Sequence, residues 1–186
     1  MLVSYPSQST YEYGSCMCTT AAMYWGCACV AGILAPQCSP ERMQILMQTA
    51  SDTQRAITQA MYTHTTTMLQ QHQVLSHIRM PPDVACVEVY GYCMPYREDL
   101  RDFVNVSEIF DMIKHKEALV ITGGGHSTSL YRDDTRLLFA YDSAPAMVMH
   151  VSSQAELTNT IKNMHGSMSE FTGTFIRRVP CRVSRL

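Results

Sequence analysis

"GGGHSTSLYRDDTRLLFAYDS", residues 123–143, reads as strand, polar turn, strand, and it decides between an all-helical and a mixed fold. The β-branched and aromatic residues on either side of "YRDDTR" favour extended backbone, and its acidic centre favours a reversal. A turn centred on Asp133 or Asp134 makes the segment an antiparallel hairpin with His126 opposite Tyr141 or Asp142. Directly opposed side chains on one face lie about 5 Å apart at Cβ. Asp142 is then placed to orient and stabilise His126, as the carboxylate does in a nucleophile, base and orienter triad.

Outward from this hairpin the same grammar continues. "ALVIT" precedes it, "MVMHV" and "EFTGTFIRRV" follow, and "VACVEVY" at 84–90 alternates as a strand does. Asn105 with Glu108 forms a capping box ahead of a short helix, and Ser153 with Glu156 caps another. The first half is different. "CMCTTAAMYW" predicts a helix capped by Ser15 and ending near Gly32, and Ser39 followed by Pro40 opens a second. A further helix is expected after Ser51 or Asp52, and Pro81 and Pro82 stop the helical region. Helices first and strands later predict an α+β fold, with a mostly antiparallel sheet and one domain over residues 1–186.

Composition limits the function classes. The chain has 186 residues, 46% of them hydrophobic, enough for a full core without staples. The 14 basic and 16 acidic residues include no Lys/Arg-rich run, which argues against a nucleic-acid partner. Ala21 to Ala35 is apolar but short and rich in small residues, so it reads as a buried helix and not a membrane span. The start "MLVSYPSQST" lacks the basic and apolar regions of a secretory leader, and the 8 cysteines are expected to be reduced, in cytosol or nucleus.

Four cysteines crowd residues 16–29. Cys16 and Cys18, like Cys27 and Cys29, are spaced i, i+2, and on a helix such positions point to different faces, so no metal site and no cofactor is expected. Cys27 and Cys29 read as small buried hydrophobes. Cys16 and Cys18 fall in a first helical turn, where unpaired N–H groups and the helix dipole favour a thiolate.

Cysteine at the start of an early buried helix, followed by His and Asp on later strands, is the order of papain-like cysteine peptidases. "GSC" at 14–16 resembles their nucleophile segment, and Gln8 stands upstream where that class keeps a glutamine for the oxyanion hole. More narrowly, "SQSTYEYGSCMCTTAAMYW", "GILAP", "ALVITGGGHSTSLYRDDTRLLFAYDS" and "VSSQAELTNTIKNMHG" are similar, in order and spacing, to the ubiquitin-specific protease domain that opens herpesvirus large tegument proteins.

That resemblance implies a papain-like fold, with a central nucleophile helix packed on the sheet. It implies a thiol deubiquitinase that hydrolyses the bond after the ubiquitin C-terminal glycine through a thioester. Gln8 would serve the oxyanion, and ubiquitin or a ubiquitin-like protein would be the partner. It further implies a monomeric domain of a longer chain, found in the virion tegument and in host cytoplasm and nucleus. Two departures follow. The family's Gln-Cys is "SCMC" here, so either Cys18, which fits the downstream Met23 and Trp25, or Cys16 is the nucleophile, with Cys18 favoured. The family's Asp-x-His is Asp142-Ser143-Ala144, so the base is His126 from the neighbouring strand or, less favoured, His150. Otherwise the chain is a catalytically impaired or engineered-inactive relative that binds ubiquitin without cleaving it. The run Gly123 to Gly125 is expected to line a narrow channel for a Gly-Gly tail.

Overall fold

A computed structural model describes residues 2–12, 17–63, 85–89, 92–168 and 170–178. Among these, eight strands form one sheet: β1 (Leu2–Ser4), β2 (Ala85–Val89), β3 (Tyr92–Asn105), β4 (Glu117–Gly123), β5 (His126–Arg132), β6 (Leu138–Asp142), β7 (Met147–Val151) and β8 (Glu170–Arg178). Their order is β1-β7-β6-β5-β4-β8-β3-β2, and every neighbouring pair is antiparallel. The helices are α1 (Cys18–Val30), α2 (Pro40–Thr63), α3 (Val106–Met112) and α4 (Gln154–His165), with a 3-10 turn at Gln8–Thr10. The expected α+β class holds.

Both faces of the central strands are covered, which is why their sequences run apolar without strict alternation. Ala118, Val120, Tyr131, Phe139 and Tyr141 join α1 and α2 in one core. The intervening Leu119, Ile121, Leu130, Leu138 and Ala140 join α3 and α4 in the other. The approach of α1 to the sheet depends on Gly26. A Cβ there would lie 2.9 Å from Ser129 Oγ and 3.2 Å from Ala118 Cβ, so a larger residue forces the helix off β5. Next to Gly26 in the helix, Trp25 stacks on Tyr141 with ring centroids 5.2 Å apart and meets Tyr131 edge-on at 6.4 Å.

Several boundaries differ from the sequence reading. Helix α1 begins at Cys18 with Met17 in the capping position, where its side chain makes no cap hydrogen bond, and the expected cap Ser15 lies outside the described residues. Met17 is fully buried, so apolar anchoring stands where a polar cap was expected. Helices expected separately after Ser39 and after Ser51 or Asp52 are one continuous α2. Ser51 is buried within it, and Asp52 accepts from Gln48 Nε2 at 3.1 Å, a side-chain pair one turn apart and not a cap. Strands β1 and β3 were not foreseen. The highly charged β3 is held by its ladders to β2 and β8, with a bulge between Arg101 and Val104. Asn105 and Ser153 cap α3 and α4 as expected. Among the described residues no helix is long and apolar enough to cross a membrane.

Candidate active site

The β5–β6 hairpin exists, but its register differs from the expected one by two residues. Arg132 pairs with Leu138 and Ser129 with Tyr141, so the loop is the five residues 133–137. Asp133 Oδ1 selects this wider turn by accepting from the backbone N–H groups of both Thr135 (2.9 Å) and Leu137 (2.8 Å). The same register, carried on, sets Asp142 opposite Thr128 and makes His126 its diagonal neighbour. A long side chain spans that diagonal. The His126 Nε2–H group donates to Asp142 Oδ1 at 2.9 Å, with the two side chains 20% and 4% exposed. Sequence reasoning paired the right residues through the wrong register.

Ala144, which stands where the resemblance expects the base, donates its backbone N–H to the same Asp142 Oδ1 at 2.9 Å. His150 is excluded by the ladder. It pairs with Phe139, three positions from the Asp142–Met147 pair, and its ring lies 5.7 Å from that of Phe139. Carried on past Ser129–Tyr141, the ladder sets residue 126 against residue 144, so the imidazole comes from the facing strand.

Cys18 is the first residue of α1, half-buried, and faces the beginning of β5. Burial acts most strongly on its thiol and pushes the pKa up. Hydrogen bonds from His126, from the Ser127 backbone and from Thr19, with the charge of His126, outweigh burial and bring it below the ordinary thiol value. On the other partner, the Asp142 hydrogen bond, then that of Cys18, lifts His126 to about 9 against the opposing effect of burial. Since Nε2 is engaged by Asp142, Nδ1 is the nitrogen left for the thiol. Shifts in these opposite directions are what a thiolate–imidazolium pair requires. Cys16 lies outside the described residues. Cys27 and Cys29 are buried in the core.

Gln8 meets the residue after Asp142. Its backbone N–H donates to Ser143 O at 3.0 Å, and its side-chain Oε1 accepts from Ser143 Oγ at 2.6 Å. Fixing the oxygen end of an amide directs its NH2 end away from that contact. Residues 142–144 are therefore a hub, with Asp142 holding His126, Ser143 holding Gln8, and Ala144 O accepting from Ser7 Oγ at 2.6 Å.

Two neighbours were not foreseen. His165, at the end of α4, lies with its ring 5.3 Å from that of His126. Its Nδ1 is 3.2 Å from the Gly123 carbonyl, which only accepts, so Nδ1 carries the proton and Nε2 accepts from Thr128 Oγ1 at 2.9 Å. Burial first, and then the charge of His126, lower its pKa and keep this second ring neutral. Ser143 is the other. Neither carries a signal in the chain, because each partner is remote in sequence.

The glycine run closes the β4–β5 hairpin. Gly123 pairs with His126, and Gly124 (φ 62°) and Gly125 (φ 78°) are the two central residues of a tight β4–β5 turn. Positive φ at both positions is the requirement of a type I′ hairpin. At Gly123 a Cβ would meet Phe171 Cδ1 at 2.7 Å and Met168 Cε at 2.8 Å, so a side chain there would displace both, whereas the Cβ direction of Gly125 is open. Among the described residues no group of three or more His, Cys, Asp or Glu side chains is arranged to hold a metal ion.

No family model matches the chain, and no curated protein matches it. Among solved structures it is similar to the ubiquitin-specific protease encoded by tegument protein M48 of murine cytomegalovirus, determined in complex with a ubiquitin-based suicide substrate. The TM-score is 0.65 at 12% identity, over 100% of this chain and 89% of that one. At that identity the likeness shows the fold, a papain-like α+β architecture of the kind used by a viral ubiquitin protease.

Proposed function

We propose that this chain is a cysteine deubiquitinase in which Cys18 is the nucleophile, His126 the general acid and base, Asp142 its orienter and Gln8 an oxyanion donor. The observation that carries the reading is the His126–Asp142 bond of 2.9 Å beside a thiol whose pKa is lowered by the same imidazole. The similar fold was captured with a ubiquitin-based substrate, which supports ubiquitin as the partner here and a place in the tegument and the infected host cell.

In this mechanism the Cys18 thiolate attacks the carbonyl carbon of the ubiquitin C-terminal glycine, forming the C–S bond. The backbone N–H of Cys18 and the Gln8 amide receive the developing oxyanion. The C–N bond of the isopeptide breaks as His126 Nδ1–H gives its proton to the leaving lysine amine. Water then adds to the thioester while His126 takes its proton, and the thiolate leaves. Asp142 keeps Nε2 protonated throughout, so that Nδ1 alone exchanges protons.

The test is release of a fluorophore joined by an amide bond to the ubiquitin C-terminus. Hydrolysis that survives Cys16→Ala and disappears in Cys18→Ala and His126→Ala supports the assignment. Ubiquitin that binds the unaltered protein without turnover would favour the binding module, and a protein that neither binds nor cleaves it contradicts both readings.

A further inference from the structure

A second polar cluster adjoins Cys18 and His126. Thr19, next to Cys18, places Oγ1 2.8 Å from the Oγ of Ser127, which is next to His126. Ser127 Oγ is also 2.8 Å from Thr122 Oγ1, its cross-strand partner on β4. Ser127 is buried at 1% exposure and is fully engaged from both sides. We propose that the chain Thr122–Ser127–Thr19 is a hydroxyl clamp that positions Cys18 against His126, joining the two backbones one residue beyond each reacting group.

This inference rests on the reading of Cys18 and His126 as the reacting pair. Three observations converge on it. The N-cap of α1 is Met17, whose side chain offers no hydrogen bond, and Thr19 anchors the first turn toward the sheet. On the opposite side Thr20 Oγ1 donates to Gln54 Oε1 of α2 at 2.8 Å, so the first turn is gripped between two elements. The third concerns the sulfur itself: the Thr19 side chain and the Ser127 backbone are among the groups that lower the Cys18 pKa and favour its charged form.

The proton arrangement follows from the inventory of one donor per hydroxyl. With Cys18 as thiolate, Thr19 O–H points to the sulfur, Thr19 Oγ1 accepts from Ser127, and Ser127 Oγ accepts from Thr122. All three protons are directed toward the negative charge, and each bond polarises the next. Thr19 and Ser127 are thus positioning residues, with Thr122 as the distal support.

The experiment measures the rate of Cys18 alkylation by iodoacetamide from pH 4 to 9, read at that residue by peptide mass spectrometry. It needs no ubiquitin, so it is independent of the hydrolase assignment. Thr19→Val removes the hydroxyl at constant shape on an exposed position, and Ser127→Ala removes the central link. Each is expected to raise the alkylation midpoint by about one pH unit, a roughly tenfold loss of rate below the midpoint. Thr19→Ser restores the original midpoint, and Thr122→Val gives a smaller shift in the same direction.

Should Ser127→Ala fail to fold, the Thr19→Val and Thr19→Ser pair decides alone. Variants that lose thermal stability yet titrate at the original midpoint would overturn the clamp while leaving the hydrolase reading intact. A Cys18 that titrates as an ordinary thiol in the unaltered protein would overturn the ion pair and the clamp together.

Discussion

The two ends of the β5–β6 hairpin carry an aspartate each and use it for different purposes. At the closed end Asp133 Oδ1 accepts from Thr135 N, Thr135 Oγ1 and Leu137 N, all within the turn. Arg132 beside it donates to the carbonyls of Ile113 (2.8 Å), Arg136 (3.1 Å) and Phe110, and its guanidinium lies over the Phe110 ring at 4.7 Å. Those partners are backbone and hydroxyl groups that do not titrate, so that end of the hairpin is fixed and chemically silent. At the open end Asp142 faces His126, which faces Cys18, and both partners change charge. A carboxylate closed on backbone donors builds a turn, whereas one that holds a histidine toward a thiol controls a proton.

The contrast is broken most severely at the sulfur. Cys18→Ala is expected to abolish hydrolysis, because among the described residues no other thiol stands against His126, and single-turnover assays with ubiquitin amide will check it. Next comes Asp142→Asn, which retains the shape and loses the charge. Hydrolysis is expected to fall by about 10²–10⁴-fold. The pKa of His126, followed by NMR, is expected to fall from about 9 toward 6.5, taking the alkaline limb of the pH profile with it. The sign carries over to stability. The folded pKa of His126 is raised, so its contribution is fully present below the unfolded value near 6.5 and is lost as pH rises through about 9. Asp142→Asn reduces that dependence to the share that Cys18 contributes, which denaturation at pH 6 and pH 10 measures.

Ser143→Ala acts one step further out. It releases the oxygen end of Gln8, and a loss of about two- to tenfold in kcat is expected with KM little changed. The smallest catalytic effect belongs to the closed end. Asp133→Ala is expected to leave hydrolysis unaltered while costing about 1–2 kcal/mol of stability by urea unfolding. If it reduced activity as much as Ser143→Ala, the separation of the two ends would fail.

Much of this molecule was legible in the sequence because local chemistry and long-range packing agree. Capping residues Asn105 and Ser153, the apolar runs of β4 to β7, and the pairing of His126 with Asp142 are all readable. Where they disagree, the reading slipped. The hairpin register was set by Asp133 reaching forward to Leu137, which a count from the acidic centre misses. The charged strand β3 exists because two neighbours hold its ladder, and propensity does not record neighbours. The glycines at 124 and 125 are required by a type I′ turn, whose positive φ angles a count of small residues does not separate from a ligand channel. His165, Ser143, Thr19 and Ser127 come to the site only through tertiary folding, since their partners stand far away in the chain.

The most direct test is capture by ubiquitin bearing a C-terminal electrophile, followed by peptide mapping of the adduct. The account predicts a covalent bond at Cys18, retained in Cys16→Ala and strongly slowed in both His126→Ala and Asp142→Asn. An adduct at Cys16, or one at Cys18 that forms equally fast without His126, would contradict it.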